Sequence, residues 1–135
     1  MPAPFCLAMV VCDNFHRDPS TAKYTLIGTF SGLAGPEFPL IHPHITIYVA
    51  LTDGHGKMPL RLEMIDVDEE REPVFHFDGR VTFASPKDVV EICFKTPEVS
   101  VPEPGEYRLR LFANREFIME RSVLAKQLPI SADED

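Results

Sequence analysis

The sequence predicts an all-β protein, an antiparallel sandwich or barrel, and three observations predict it. Almost every periodic segment alternates with period two and not 3.6. Turn-forming residues punctuate those segments at spacings of 8–14 residues. No stretch carries an apolar stripe at helical spacing, so helix-containing layer architectures are not expected. The chain has 135 residues, 44% of them hydrophobic, enough for one domain with a proper core. That domain is expected over residues 1–128, with "ISADED" closing an acidic tail over 129–135.

Each strand has its own pattern. "FCLAMVVC" (5–12) is apolar on both faces, as a central buried strand is. "DNFHRDPSTAK" then reads as the connection to "YTLIGTF" (24–30), which alternates around Tyr24, Leu26, Gly28 and Phe30. In "HITIYVALTD", Ile45, Ile47, Val49 and Leu51 point one way, while His44, Thr46, Tyr48 and Thr52 point the other. "DGHGK" predicts a tight hairpin in which Asp-Gly supplies the positive-φ positions. "PLRLEMI" turns Leu60, Leu62 and Met64 inward. "VFHFDGRVTF" places Phe75, Phe77, Val81 and Phe83 on one face, with Gly79 as a bulge candidate. "ASPKD" allows a short helical turn near Ser85–Asp88 before "DVVEICFKT". "EYRLRLFA" buries Tyr107, Leu109 and Leu111, and the short turn "ANRE" leads into the last strand, "EFIMERSVLAKQL". Thirteen prolines against seven glycines fit many short elements joined by loops.

The totals exclude several function classes. A net charge of −8 repels phosphates, and no basic patch interleaved with aromatics is present, so no nucleic-acid partner is expected. No apolar stretch approaches the ~18 residues of a membrane helix, and no membrane partner is expected. The apolar run Phe5–Val11 is short, follows no Lys or Arg and precedes no small-residue cleavage site, so it does not read as a signal peptide. Three cysteines are not a disulfide framework. Cys6 and Cys12 share one predicted strand and sit ~20 Å apart at strand rise, far beyond the roughly 7 Å between Cα atoms that a disulfide spans. Free thiols and a cytoplasmic location follow as the expectation.

"CDNFHRDPSTAKYTLIGTFSG", "YVALTDGHGKMPLRLEMIDVDEEREPVF" and "EPGEYRLRLFANREFIMER" together resemble a bacterial family of small immunoglobulin-like β-sandwich domains of unknown function. The resemblance runs from about Phe5 to Leu128 and includes a "PGxY" corner at Pro104, Gly105 and Tyr107. It implies an antiparallel immunoglobulin-like β-sandwich of about 7–9 strands. It implies no activity, cofactor or catalytic residue. Tyr107 should then bury its ring and send its hydroxyl to a nearby backbone group, as the tyrosine corner of such sandwiches does.

Residues able to carry chemistry occur in three places. Cys12, Asp13 and His16 fall together, but a catalytic Cys needs a His in reach and a means of lowering its pKa, and a strand end supplies neither. Among the five histidines, His42 and His44 share a strand parity and His76 faces outward on another strand. They would make a zinc site only if their strands were adjacent, and no CxxC or HExxH supports one. The run "DVDEERE" offers Asp66, Asp68, Glu69, Glu70 and Glu72 to a calcium ion, but lacks the EF-hand pattern and its Gly. His42, His44, His76, Asp66, Asp68 and Glu69 are therefore only weak metal candidates. No catalytic residue, cofactor-binding residue or cofactor is assigned. The sequence predicts a non-enzymatic binding module whose partner is a protein or a second copy of itself, engaged through sandwich loops or an edge strand. The alternative is a small-ligand or metal-binding sandwich using the histidines or the acidic 66–72 loop.

Overall fold

The computed structural model describes residues 3–68 and 71–129. Glu69, Glu70 and the acidic stretch 130–135 lie outside the described residues. Eleven strands and no helix are found among the described residues. In chain order they are β1 (Phe5–Arg17), β2 (Tyr24–Thr29), β3 (Gly32–Gly35), β4 (Leu40–His42), β5 (Thr46–Thr52), β6 (Gly56–Asp66), β7 (Phe75–Phe83), β8 (Val90–Lys95), β9 (Val99–Val101), β10 (Gly105–Ala113) and β11 (Glu116–Gln127). All eight expected strands are present. The count exceeds 7–9 because β3, β4 and β9 have only three or four residues each, too few to display an alternation.

One sheet has the order β2-β1-β5-β8 and the other β3-β11-β10-β6-β7, with β4 and β9 forming a small ladder of their own. Every ladder is antiparallel except β3–β11, where Leu124, Ala125, Lys126 and Gln127 run parallel beside Gly32 to Gly35. A single core takes side chains from both sheets: Met9, Val11, Ile47, Val49 and Leu51 from one, Leu60, Leu62, Met64, Leu109, Leu111 and Val123 from the other. Burial of such aliphatic side chains, at about 1.5–3 kcal/mol each, is the main favourable term.

Three local expectations are corrected. Asp13 to Arg17 are not connection but the second half of β1, paired in register with Tyr24 to Ile27 and beyond. The true turn is Asp18–Lys23, where the Asp18 carboxylate accepts from the Ser20 backbone N–H and hydroxyl, both at 2.8 Å. Gly79 is no bulge, since β6 and β7 stay in continuous register through Leu60 and Gly79. The bulges fall instead between Cys6 and Ala8 and between Leu111 and Phe112. In "DGHGK" the positive φ angles belong to Asp53 and Gly56, not to Gly54. Gly54 is required for space: a Cβ there would lie 2.2 Å from the Phe83 ring. The short turn allowed at Ser85–Asp88 is present, Asp88 N–H donating to Ser85 C=O at 3.0 Å.

The Tyr107 expectation holds in detail. The ring is 2% exposed. Its hydroxyl donates to the backbone carbonyl of Glu103 at 2.6 Å and accepts from the Glu103 N–H at 3.3 Å. A buried phenol is thus satisfied four residues upstream, as burial of a polar group demands.

Candidate functional site

The outer face of the β3-β11-β10-β6-β7 sheet is where the alternation delivers its polar residues. From β6 it receives Lys57, Pro59, Arg61 and Glu63. Their β7 neighbours in register are Thr82, Arg80, Asp78 and His76. From β10 and β11 come Glu106, Arg108, Arg110, Glu120 and Ser122. Most of these charges neutralise one another. Arg61 grips both Asp78 oxygens, at 2.8 and 3.0 Å, and its Nε donates to Glu63 at 3.0 Å. Arg108 and Arg110 converge on Glu120, at 2.9 and 3.2 Å, and the Ser122 hydroxyl donates to Glu106 at 2.6 Å. The Arg61 guanidinium holds the Asp78 carboxyl below the ordinary range, and the Ser122 hydroxyl does the same for Glu106.

At the end of this face next to the β10–β11 turn the pattern changes. Phe112 occupies an outward position continuing Arg108 and Arg110, and it pairs across the ladder with Phe117. The rings meet edge to face with centroids 6.0 Å apart. Phe117 is 55% exposed. A groove of about 440 Å³ opens beside them, lined by Pro59, Leu60, Arg61, Glu63, Asp78, Gly79, Phe112 and Arg115. Its floor is apolar and its rim is charged, the composition typical of a recognition surface. Arg115 reaches it from a two-residue hairpin turn in which Asn114 and Arg115 both adopt the left-handed conformation, φ 54° and 66°. Asn tolerates that region; for Arg it costs about 1–2 kcal/mol.

The weak metal candidates do not come together. His42 ends β4, its Nε2 4.0 Å from Asp13 and its ring against Phe30. His44 is half-buried in the β4–β5 connection. His76 lies on the other sheet, with Nδ1 3.1 Å from Asp78. Asp66 and Asp68 border a small cleft with Arg71, Glu103 and Tyr107. There Arg71 pairs with Glu103 and stands 3.8 Å from Asp66, so a guanidinium already answers these carboxylates. Glu69 lies outside the described residues. Among the described residues no three His, Cys, Asp or Glu side chains form a group able to hold a metal ion. Cys12 is fully buried and its thiol donates to the Asn14 carbonyl at 3.3 Å. His16 is exposed and opposite Thr25. Burial raises the Cys6 and Cys12 thiols, and burial together with neighbouring Cys12 and Glu91 pushes Cys93 up to about 11.

The groove was missed by pattern reading, although two signals announce it. Phe112 stands at an outward parity in "YRLRLF", and "NR" occupies the turn positions where Asn-Gly is the rule. No helix of the described residues is long and apolar enough to cross a membrane. No curated protein matches the chain. A family model described as a family of unknown function matches residues 7–125. That stretch takes in most of β1, most of β11 and every strand between them, groove and tyrosine corner included, and the chain therefore belongs to that family, DUF6941.

Proposed function

We propose that this chain is a non-enzymatic binding module of the bacterial cytoplasm, built as an immunoglobulin-like β-sandwich and engaging a protein partner. The observation that carries the binding role is the pair formed by half-buried Phe112 and exposed Phe117 beside an open groove, on a sheet face otherwise closed by ion pairs. Phenylalanine and arginine are both enriched at protein interfaces relative to the rest of the surface. The surface joins the β10–β11 turn to the edge strand β7, so it combines a loop and a sheet edge.

Three further features support the frame of this reading. The short strand β3 runs parallel to the final strand β11, and Tyr107 makes a tyrosine corner; both suit an immunoglobulin-like topology. Three free cysteines suit a reducing compartment. The sequence resemblance supports a bacterial source. The alternative, metal or small-ligand binding through the histidines or the 66–72 loop, finds less support because Arg71 and Arg61 already engage the carboxylates nearest those positions.

A photo-crosslinking side chain at position 117 tests the binding role in lysate of the native host. It should capture a discrete protein partner that the same probe at exposed Val89, just before β8 of the other sheet, does not capture. Equal or absent capture at the two positions would remove the groove from consideration.

A further inference from the structure

We propose that two copies of this chain pair through their β7 strands, antiparallel about a twofold axis at Gly79, with Asp78 of each copy opposite Arg80 of the other. This goes beyond the binding role assigned to the groove and is tested apart from it.

Among the described residues β7 is an outer strand, paired on one side with β6 and on the other with nothing. It runs nine residues, against six in β2 and β8 and four in β3, the other edges of the two large sheets. Monomers blunt a long edge with proline, a bulge or an inward charge. β7 has none of these. Its register with β6 is continuous, and its inward positions hold Phe75, Phe77, Val81 and Phe83, with Gly79 between them.

Charge complementarity makes a second copy the occupant. Gly79 is the middle residue of Phe75–Phe83, so an antiparallel pair centred on it gives every residue of the strand an opposite number. The same centring sets Asp78 against Arg80 twice, once on each side of the axis, and Phe77 against Val81 on the inward face. Moving the centre by one residue would set Asp78 against Asp78 or Arg80 against Arg80, and like charges directly opposite destabilise a ladder. The register of fullest overlap is therefore also the register of matched charge, and a patch complementary to itself is what a twofold interface requires. Arg80 makes no ion pair among the described residues. Asp78 is held by Arg61, yet its side chain remains 57% exposed, and a carboxylate accepts from more than one donor. Nine opposed residues exchange about eight to ten backbone hydrogen bonds, within the range of about 10 ± 5 for a stable interface.

Gly79 is a second observation. A glycine inside a strand costs stability. Here neither a positive φ nor a lack of space within the chain accounts for it, since a Cβ would meet nothing within 4 Å. Such a glycine marks a place where another backbone approaches closely. The rival edge is β8, which would set Glu91 against Lys95 of a second copy, but over a shorter strand and with Glu91 already accepting from the Tyr48 hydroxyl.

Sedimentation of the full chain up to about 200 μM, a range that reports micromolar affinity, should show a species of twice 15.2 kDa growing with concentration. Arg80→Glu should weaken that dimer by about tenfold or more, because it opposes like charges at two symmetric places. Asp78→Lys should do the same. Mixing the two variants should restore association, since Asp78 of the first then meets Arg80 of the second and the introduced glutamate meets the introduced lysine. Denaturant midpoints near the wild-type value show that each variant is folded. Should Asp78→Lys not fold for want of its Arg61 partner, Gly79→Cys carries the test. Oxidised with copper phenanthroline and oxygen, it should form a disulfide-linked dimer, because facing Cα atoms of an antiparallel pair lie about 4.5–5.5 Å apart. Thr82→Cys should not, its two copies standing about 20 Å apart in this register. A chain that stays monomeric up to about 200 μM would overturn the proposal. So would a dimer that Arg80→Glu does not weaken and Gly79→Cys does not lock, or one that Phe117→Asp dissociates in their place. Crosslinking at position 117 reports on the groove whichever result is found.

Discussion

Replacing Arg115 by Gly should make the protein more stable while removing a side chain that lines the groove. Arg115 sits at φ 66° in the second central position of the β10–β11 turn. The left-handed conformation costs a residue with a Cβ about 1–2 kcal/mol, and glycine nothing. Glycine returns part of that gain, about 0.5–1 kcal/mol, because its unfolded chain is more disordered. Arg115 is exposed and has no ion-pair partner among the described residues, so the folded state loses little by its removal. The net expectation is a stabilisation of about 0.5–1 kcal/mol. For a chain of this length that corresponds to a melting temperature higher by about 2–4 °C. Guanidinium unfolding should show the midpoint rising at constant slope, so that the change is one of stability and not of denatured-state compactness. Asn114→Gly is the internal control, because Asn tolerates φ 54° and should gain much less. An Arg115→Gly protein no more stable than wild type would refute the reasoning, since it would mean that Arg115 supports the fold by contacts that offset its strain.

Other outcomes follow from the same structure. Tyr107→Phe should cost roughly 0.5–1.5 kcal/mol, the net worth of a hydrogen bond, because the hydroxyl serves both the Glu103 carbonyl and N–H; an unchanged denaturant midpoint would remove the corner. Two glycines should respond with opposite sign: Gly54→Ala forces a Cβ into the Phe83 ring and should destabilise by about 1–3 kcal/mol, while Gly79→Ala meets nothing within 4 Å and should stabilise by about 0.4–1 kcal/mol. Denaturing thiol titration should find three free thiols, and native reaction near neutral pH should be slow at all of them. The Cys93 rate should climb only as pH approaches about 11, because its proton is retained below that value.

Local pattern determined a large part of this molecule. Alternation of apolar and polar residues located eight strands and their inward faces, because a pleated strand places successive side chains on opposite sides whatever its partners. It found Tyr107 as well, since a tyrosine that opens a strand after Pro-Gly is presented to the core with its hydroxyl near the preceding backbone. The free cysteines were legible from their odd number and spacing. Tertiary structure decided the rest. The strands β3, β4 and β9 exist through their ladders with β11 and with each other, and three or four residues carry no period of their own. Gly54 and Gly79 look alike in sequence, and only the ring of Phe83, far along the chain, makes one indispensable for space and the other not. The histidines and acids that sequence proximity offered as ligands were sorted by pairing: His42 went to Asp13, His76 to Asp78, and Arg71 to Asp66 and Glu103. The groove as an assembled site was illegible for the same reason, although Phe112 and the Asn114–Arg115 turn each signal a part of it. Pro59, Asp78, Phe112 and Arg115 come from three strands and a turn, and a site assembled across a sheet is defined by register, which depends on the free energy of all the ladders at once and is written in no single segment.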